Sequence, residues 1–161
     1  MPPGATHLGV TLYEILPGQN GSPFHLHHAN EEMIIVLAGR PTLRTIDGSR
    51  VLEPGDVVAC PRGPAGAHQL QNCTEQPVRA LVVSTMVYPD VAEMPDSDKI
   101  LVISHPPGVA DRLFGAFPRS AQVDRLQGEL DSPTAEVAPR SHGGEKGCGA
   151  RRSVRDGKRH R

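Results

Sequence analysis

Turn-forming residues cut this chain into short pieces, and before residue 110 no piece has a convincing helical period. Pro17-Gly18-Gln19-Asn20-Gly21, Asp47-Gly48, Glu53-Pro54-Gly55-Asp56 and the Pro61–Gly66 loop recur between short apolar runs. Gly and Pro set φ in ways that end regular structure, so each cluster marks a chain reversal. The runs between them are His7–Leu16, Phe24–His28, Met33–Leu37, Pro41–Ile46, Arg50–Leu52, Val57–Cys60, Ala67–Gln71, Val78–Val87 and Ile100–Ser104. Strands at roughly 8–12-residue spacing with tight turns predict an all-β sandwich or barrel. Met33–Leu37 is apolar on both faces and reads as a buried strand. Asp47-Gly48 predicts a two-residue hairpin.

Past Pro106 this pattern dissolves. Ala121–Leu130 has weak helical character, and Ser132–Arg161 has few large apolar residues among its Gly, Ser, Pro and Arg. Such a segment cannot bury enough apolar area to offset the entropy of ordering it. The expected organisation is a barrel over 1–110, a weakly helical or irregular segment over 111–131 and a disordered basic tail over 132–161. From Arg140 to Arg161 eight basic residues face two acidic ones, a net +6, while residues 1–139 carry -7. An acidic body argues against nucleic acid as a partner. No apolar run approaches the roughly 18 residues that cross a bilayer, so no membrane partner is expected. Met1-Pro2-Pro3-Gly4 shows neither a charged n-region nor an apolar h-region, and a cytoplasmic location is the expectation. Cys60, Cys73 and Cys148 are odd in number and widely spaced, which fits neither a disulfide scaffold nor a C-x-x-C metal site.

The chemistry concentrates in Phe24-His25-Leu26-His27-His28-Ala29-Asn30-Glu31-Glu32. In a strand, residues i and i+2 share a face, so His25 and His27 project together and His28 projects away. Two imidazoles and a carboxylate suit Fe, Mn, Zn, Ni or Cu. After His25-x-His27 come four residues, Glu32, six residues and Gly39. Further on, Gly55 is followed by five residues, Pro61-x-Gly63, four residues, His68, three residues and Asn72. These two motifs, in this order, resemble those of the cupin superfamily, and in particular its small single-domain bacterial members. Two departures stand out. The gap between Gly63 and His68 is two residues longer than the usual pattern, and Gln19 occupies the place of a customary glycine.

The resemblance implies a double-stranded β-helix, a jelly-roll-like barrel, over residues 7–105. It implies a divalent transition metal held by His25, His27, Glu32 and His68. Three His and one Glu would leave positions open on a five- or six-coordinate ion, as catalysis requires. Glu31 is the competing carboxylate, but alternation turns it from the face of Glu32. His28 is expected to face solvent, Pro61, Gly63 and Gly66 to shape the loop presenting His68, and Asn72 to hold a turn. Tyr13, Phe24 and Met33 are candidate pocket walls. The expected function is a metal-dependent oxygenase or isomerase acting on a small-molecule ligand; the alternative is a non-catalytic module that binds or senses a metabolite. The resemblance also implies a homodimer paired near the N-terminus, where Leu8, Val10, Leu12 and Ile15 offer apolar surface.

Overall fold

The computed structural model describes residues 5–128. Eleven strands are described: β1 (Leu8–Ile15), β2 (Leu26–His27), β3 (Glu32–Ala38), β4 (Thr42–Thr45), β5 (Gly48–Val51), β6 (Val57–Cys60), β7 (His68–Gln71), β8 (Val78–Thr85), β9 (Asp90–Met94), β10 (Lys99–Ile103) and β11 (Phe114–Pro118). Three 3-10 turns, Pro64–Gly66, Pro95–Ser97 and Arg119–Ala121, are the helical elements among the described residues. No helix there is long and apolar enough to cross a membrane. The described residues thus form the all-β, jelly-roll-like double-stranded β-helix that the two motifs imply.

Among the described residues every strand pair is antiparallel. One sheet has the order β1-β8-β3-β6, a second β11-β10-β9-β2 and a third β5-β4-β7. An isolated bridge between His25 and His68 links the second and third sheets. The core lies between the first sheet and β4/β7. Ile15, Ile34, Val36, Leu43, Leu52, Leu70, Val78 and Ala80 pack there, nearly all without solvent contact. Burying a side chain of the Val, Leu or Ile class stabilises by about 1.5–3 kcal/mol. That is how a chain without Trp closes a barrel on aliphatic residues.

Asn72, buried at the end of β7, holds a turn as its motif position suggests. Its Nδ2 donates to the carbonyls of Ile15 and Gln76, and its Oδ1 accepts from Thr74 N and Oγ1.

Three sequence readings need amendment. β3 is not buried on both faces: Ile34 and Val36 face the core, but Met33 and Leu37 are 42% and 44% exposed. The apolar outer face of this sheet has no covering element among the described residues. The hairpin between β4 and β5 closes with Thr45 opposite Gly48, so Ile46 and Asp47 form the two-residue loop, one position earlier than expected. Finally, Phe114–Pro118, expected to be irregular or weakly helical, is a strand. It pairs along its length with β10, Phe114 opposite Ile103 and Phe117 opposite Ile100, so ordered pairing continues past residue 110. β9, too, has no counterpart among the strands the sequence predicts.

The chain divides into two units, Met1–Asp124 and Arg125–Arg161. All the described strands belong to the first; of the second, residues 125–128, a turn, are described. The expected tail, 132–161, lies outside the described residues.

Candidate metal centre

His25 and His68 form a narrow antiparallel pair that exchanges both backbone hydrogen bonds, at 3.1 and 2.9 Å. Directly opposite residues point their side chains to the same face. Their rings accordingly meet at 4.6 Å between centroids. His27, two residues after His25, returns to that face, and its ring lies 5.1 Å from that of His25. Glu32 opens β3 on the side of Ile34 and Val36, which aims its carboxylate inward. Its Oε2 lies 3.5 Å from His25 Nε2, 3.8 Å from His27 Nε2 and 3.2 Å from His68 Nε2. The donor atoms of His25, His27 and Glu32 all lie within 4.8 Å of one another, and His68 joins through Glu32.

The far nitrogens of the rings explain why these four groups could bind a cation. His25 Nδ1 lies 2.9 Å from the Pro23 carbonyl, His68 Nδ1 2.9 Å from the Gly66 carbonyl and His27 Nδ1 2.6 Å from Asp90 Oδ2. A carbonyl or carboxylate oxygen only accepts, so each Nδ1 carries the hydrogen. In a neutral ring, Nε2 then keeps its lone pair. With all three rings neutral, three Nε2 lone pairs and a carboxylate oxygen would face one another, all acceptors, in a largely enclosed space. Such an arrangement calls for a cation between them, either a proton or a metal ion.

The electrostatics follow from the same contacts. Burial raises the Glu32 carboxyl, but hydrogen bonds from His25 and His68 and the charges of His27 and His68 outweigh it and hold Glu32 well below the usual carboxylate range. Burial opposes a charge on His68, yet its bonds to Cys60 and Glu32 prevail and raise its pKa to about 10. Tyr13, inward on β1, has its pKa raised by burial and by the charge of Glu32.

Glu31 is exposed and faces Arg62 at 3.8 Å, away from the cluster. His28 turns outward to Glu93 at 2.7 Å. Arg119 also pairs with Glu93. Met33 lies on the outer face, whereas Phe24 packs with Leu26 and Ala67. Sequence reasoning missed two groups. Cys60 ends β6 directly opposite Glu32 and touches His68, a proximity set by cross-strand register alone. Asp90, buried at the start of β9, grips His27 from 63 positions away, a separation at which no local spacing could reveal it.

Residues 11–84 match the family model described as a cupin domain. Among solved structures, a sugar phosphate isomerase of the cupin superfamily from Silicibacter pomeroyi is 29% identical with a TM-score of 0.66, the match covering 73% of this chain and 71% of that one. A protein from Acidithiobacillus ferrooxidans named for the same activity is 29% identical with a TM-score of 0.63, covering 73% and 70% of the two chains. None of the curated proteins matches the chain.

Proposed function

This chain belongs to the cupin superfamily, and on that premise we propose that it is a metal-dependent isomerase of a small hydroxy-carbonyl substrate, of the sugar phosphate class. His25, His27, Glu32 and His68 would hold a divalent first-row ion. The observation that carries the proposal is the convergence of three Nε2 atoms on one carboxylate, each ring anchored from behind through Nδ1. The choice of isomerase over oxygenase draws on the two structural relatives, both named for sugar phosphate isomerisation. A bound dication would supply Lewis acidity toward a carbonyl or hydroxyl oxygen. The chain's own groups orient and protonate. Glu32 stays ionised and cannot act as an acid. Tyr13 keeps its phenol proton and can donate it to a substrate oxygen.

Metal analysis of the purified chain, followed by NMR observation of aldose and ketose phosphate mixtures, tests this reading. About one ion per chain and an interconversion abolished by chelator and restored by metal are expected. Chelator-sensitive oxygen uptake would move the assignment to an oxygenase. Saturable metabolite binding without turnover would move it to a sensing module.

We also propose that two copies pair through the outer face of the β1-β8-β3-β6 sheet. In register, Val10, Val83, Met33 and Ala59 form one row across it, and Leu12, Leu81, Ile35 and Val57 the next. Contiguous apolar rows on an uncovered sheet mark an association surface, and a two-fold axis would set this face on itself. Sedimentation at micromolar concentration should show a dimer, and Val10→Glu a monomer. A monomeric wild-type chain would refute the pairing.

A further inference from the structure

The three imidazoles of the centre are not equivalent. His25 and His68 rest their Nδ1–H groups on the backbone carbonyls of Pro23 and Gly66. His27 alone rests its Nδ1 on a carboxylate, and that carboxylate has 1% exposure. We infer that Asp90 is a positioning residue for this centre: it fixes the tautomer and orientation of His27 and supplies the second negative charge that balances a dication. The inference rests on the metal-centre reading and deepens it.

The fold builds this contact with care. β2 pairs with β9, His27 opposite Ala92, and His28 N donates to the Val91 carbonyl at 2.9 Å. Asp90 is two residues before Ala92 and so shares its face, the face of His27. Asn30 ties the approach to β9 in place: its Nδ2 donates to the Val87 carbonyl, and its Oδ1 accepts from Val87 N and Thr85 Oγ1. Both Asp90 oxygens are then committed. Oδ1 accepts from Ala29 N at 2.9 Å and Oδ2 from His27 Nδ1 at 2.6 Å.

Each oxygen already faces a donor, so neither can be exchanged for an NH2 group without loss. An amide at position 90 would offer one acceptor and one NH2 group. Either the Ala29 N–H loses its partner, or the NH2 faces His27 Nδ1 and drives the ring to its other tautomer. The second outcome places a hydrogen on Nε2, the atom directed at Glu32. A carboxylate behind a ligating imidazole also increases its basicity as a ligand. With neutral rings, Glu32 and Asp90 together carry two negative charges, which a dication cancels in a site that excludes most water. Losing one of them leaves the filled site with an uncompensated positive charge.

Two measurements decide the matter. The first is a long-range 15N–1H correlation spectrum of the histidine rings in wild-type protein, metal-free and zinc-loaded. His27 should carry hydrogen on Nδ1 in both forms, with that proton shifted far downfield by its carboxylate partner. An unprotonated Nδ1 at His27 overturns the inference. This needs no variant and no metal, so it stands even if the substituted chain fails to fold or the wild type binds no zinc; the latter would defeat the metal-centre reading instead. The second is a zinc titration of wild type, Asp90→Asn and Glu93→Gln. Substituting such outer partners typically weakens metal affinity about 10–100-fold, which is the expectation for Asp90→Asn. Glu93→Gln, on the same strand but bonded to His28 and Arg119, should bind as wild type does. Equal affinity in wild type and Asp90→Asn also overturns the inference.

Discussion

His68→Ala should empty the centre, whereas His28→Ala should leave it filled. The two residues are the same type in the same small barrel, so the contrast isolates geometry from composition. His68 is buried, with Nε2 3.2 Å from Glu32 and Nδ1 fixed on the Gly66 carbonyl. His28 faces out to Glu93. Removing a ligand should cost at least the roughly 100-fold in metal affinity at the upper end of what ligand-supporting partners cost. The metal-free fold should suffer too. Glu32 would lose the partner that shares its buried charge, and breaking a buried pair typically costs about 3–5 kcal/mol.

The same pair sets the pH dependence. The bonds to Cys60 and Glu32 push the pKa of His68 in the folded chain up to about 10, from an ordinary 6.5. Its contribution to the metal-free fold is complete below pH 6.5 and is lost as pH rises through 10. Glu32 is shifted the other way, so its contribution is present above the ordinary carboxyl value of 4.5 and is lost as pH falls below that. The metal-free protein should therefore melt highest in mildly acid solution. Metal affinity should run opposite, rising through neutral and mildly alkaline pH, because the His68 proton must leave before Nε2 can ligate. Melting curves and metal titrations across that range read both trends. Equal metal content in His68→Ala and His28→Ala, or an affinity flat in pH, would contradict the assignment.

The four clustered residues were legible through two motifs, His25 to Gly39 and Gly55 to Asn72, and the resemblance those motifs carry. His25 and His27 are placed by strand alternation, Glu32 by opening the next strand, and His68 by a loop with its own glycine and proline signals. Other features were hidden for physical reasons. Asp90-Val91-Ala92-Glu93-Met94 looks too short and too acidic for a strand; it becomes one because β2 and β10 flank it and supply backbone partners. Since β9 was not foreseen, neither was Asp90 behind His27. Phe114–Pro118 has the same history, being made a strand by β10 alone. The apolar outer face of β3 misled in the opposite direction. Periodicity reports that both faces of Met33–Leu37 are apolar, and it cannot distinguish a face covered by the chain's own core from one left for a second molecule.

Gly66→Ala should weaken metal binding without touching a ligand. The two extra residues between Gly63 and His68 lengthen the second motif, and the sequence suggests that Gly66 compensates by flexibility. The structure gives another reason. The loop folds back as a 3-10 turn, Gly66 N donating to the Gly63 carbonyl at 3.0 Å and Ala67 N to Pro64 at 3.1 Å. A Cβ on Gly66 would fall inside the Pro61 carbonyl oxygen, a backbone atom that cannot rotate away. The turn would have to open, and overpacking of this kind costs about 1–3 kcal/mol. Opening it moves the Gly66 carbonyl, which is the acceptor that orients His68 through Nδ1. The ring would then lose its anchor, and metal affinity should fall by about 10-fold or more, as when any such partner is removed. Gly18→Ala separates this effect from general destabilisation. Gly18 has φ +75 and nothing within 4 Å of a built Cβ, so its substitution strains the backbone only. That strain costs about 1–2 kcal/mol. Gly18 lies in the turn after β1, outside the ring of residues around Glu32. The two variants should therefore melt at similarly lowered temperatures, yet only Gly66→Ala should bind metal more weakly. If both bind metal as the wild type does, His68 does not depend on the Gly66 carbonyl, and the loop would serve only to close the barrel.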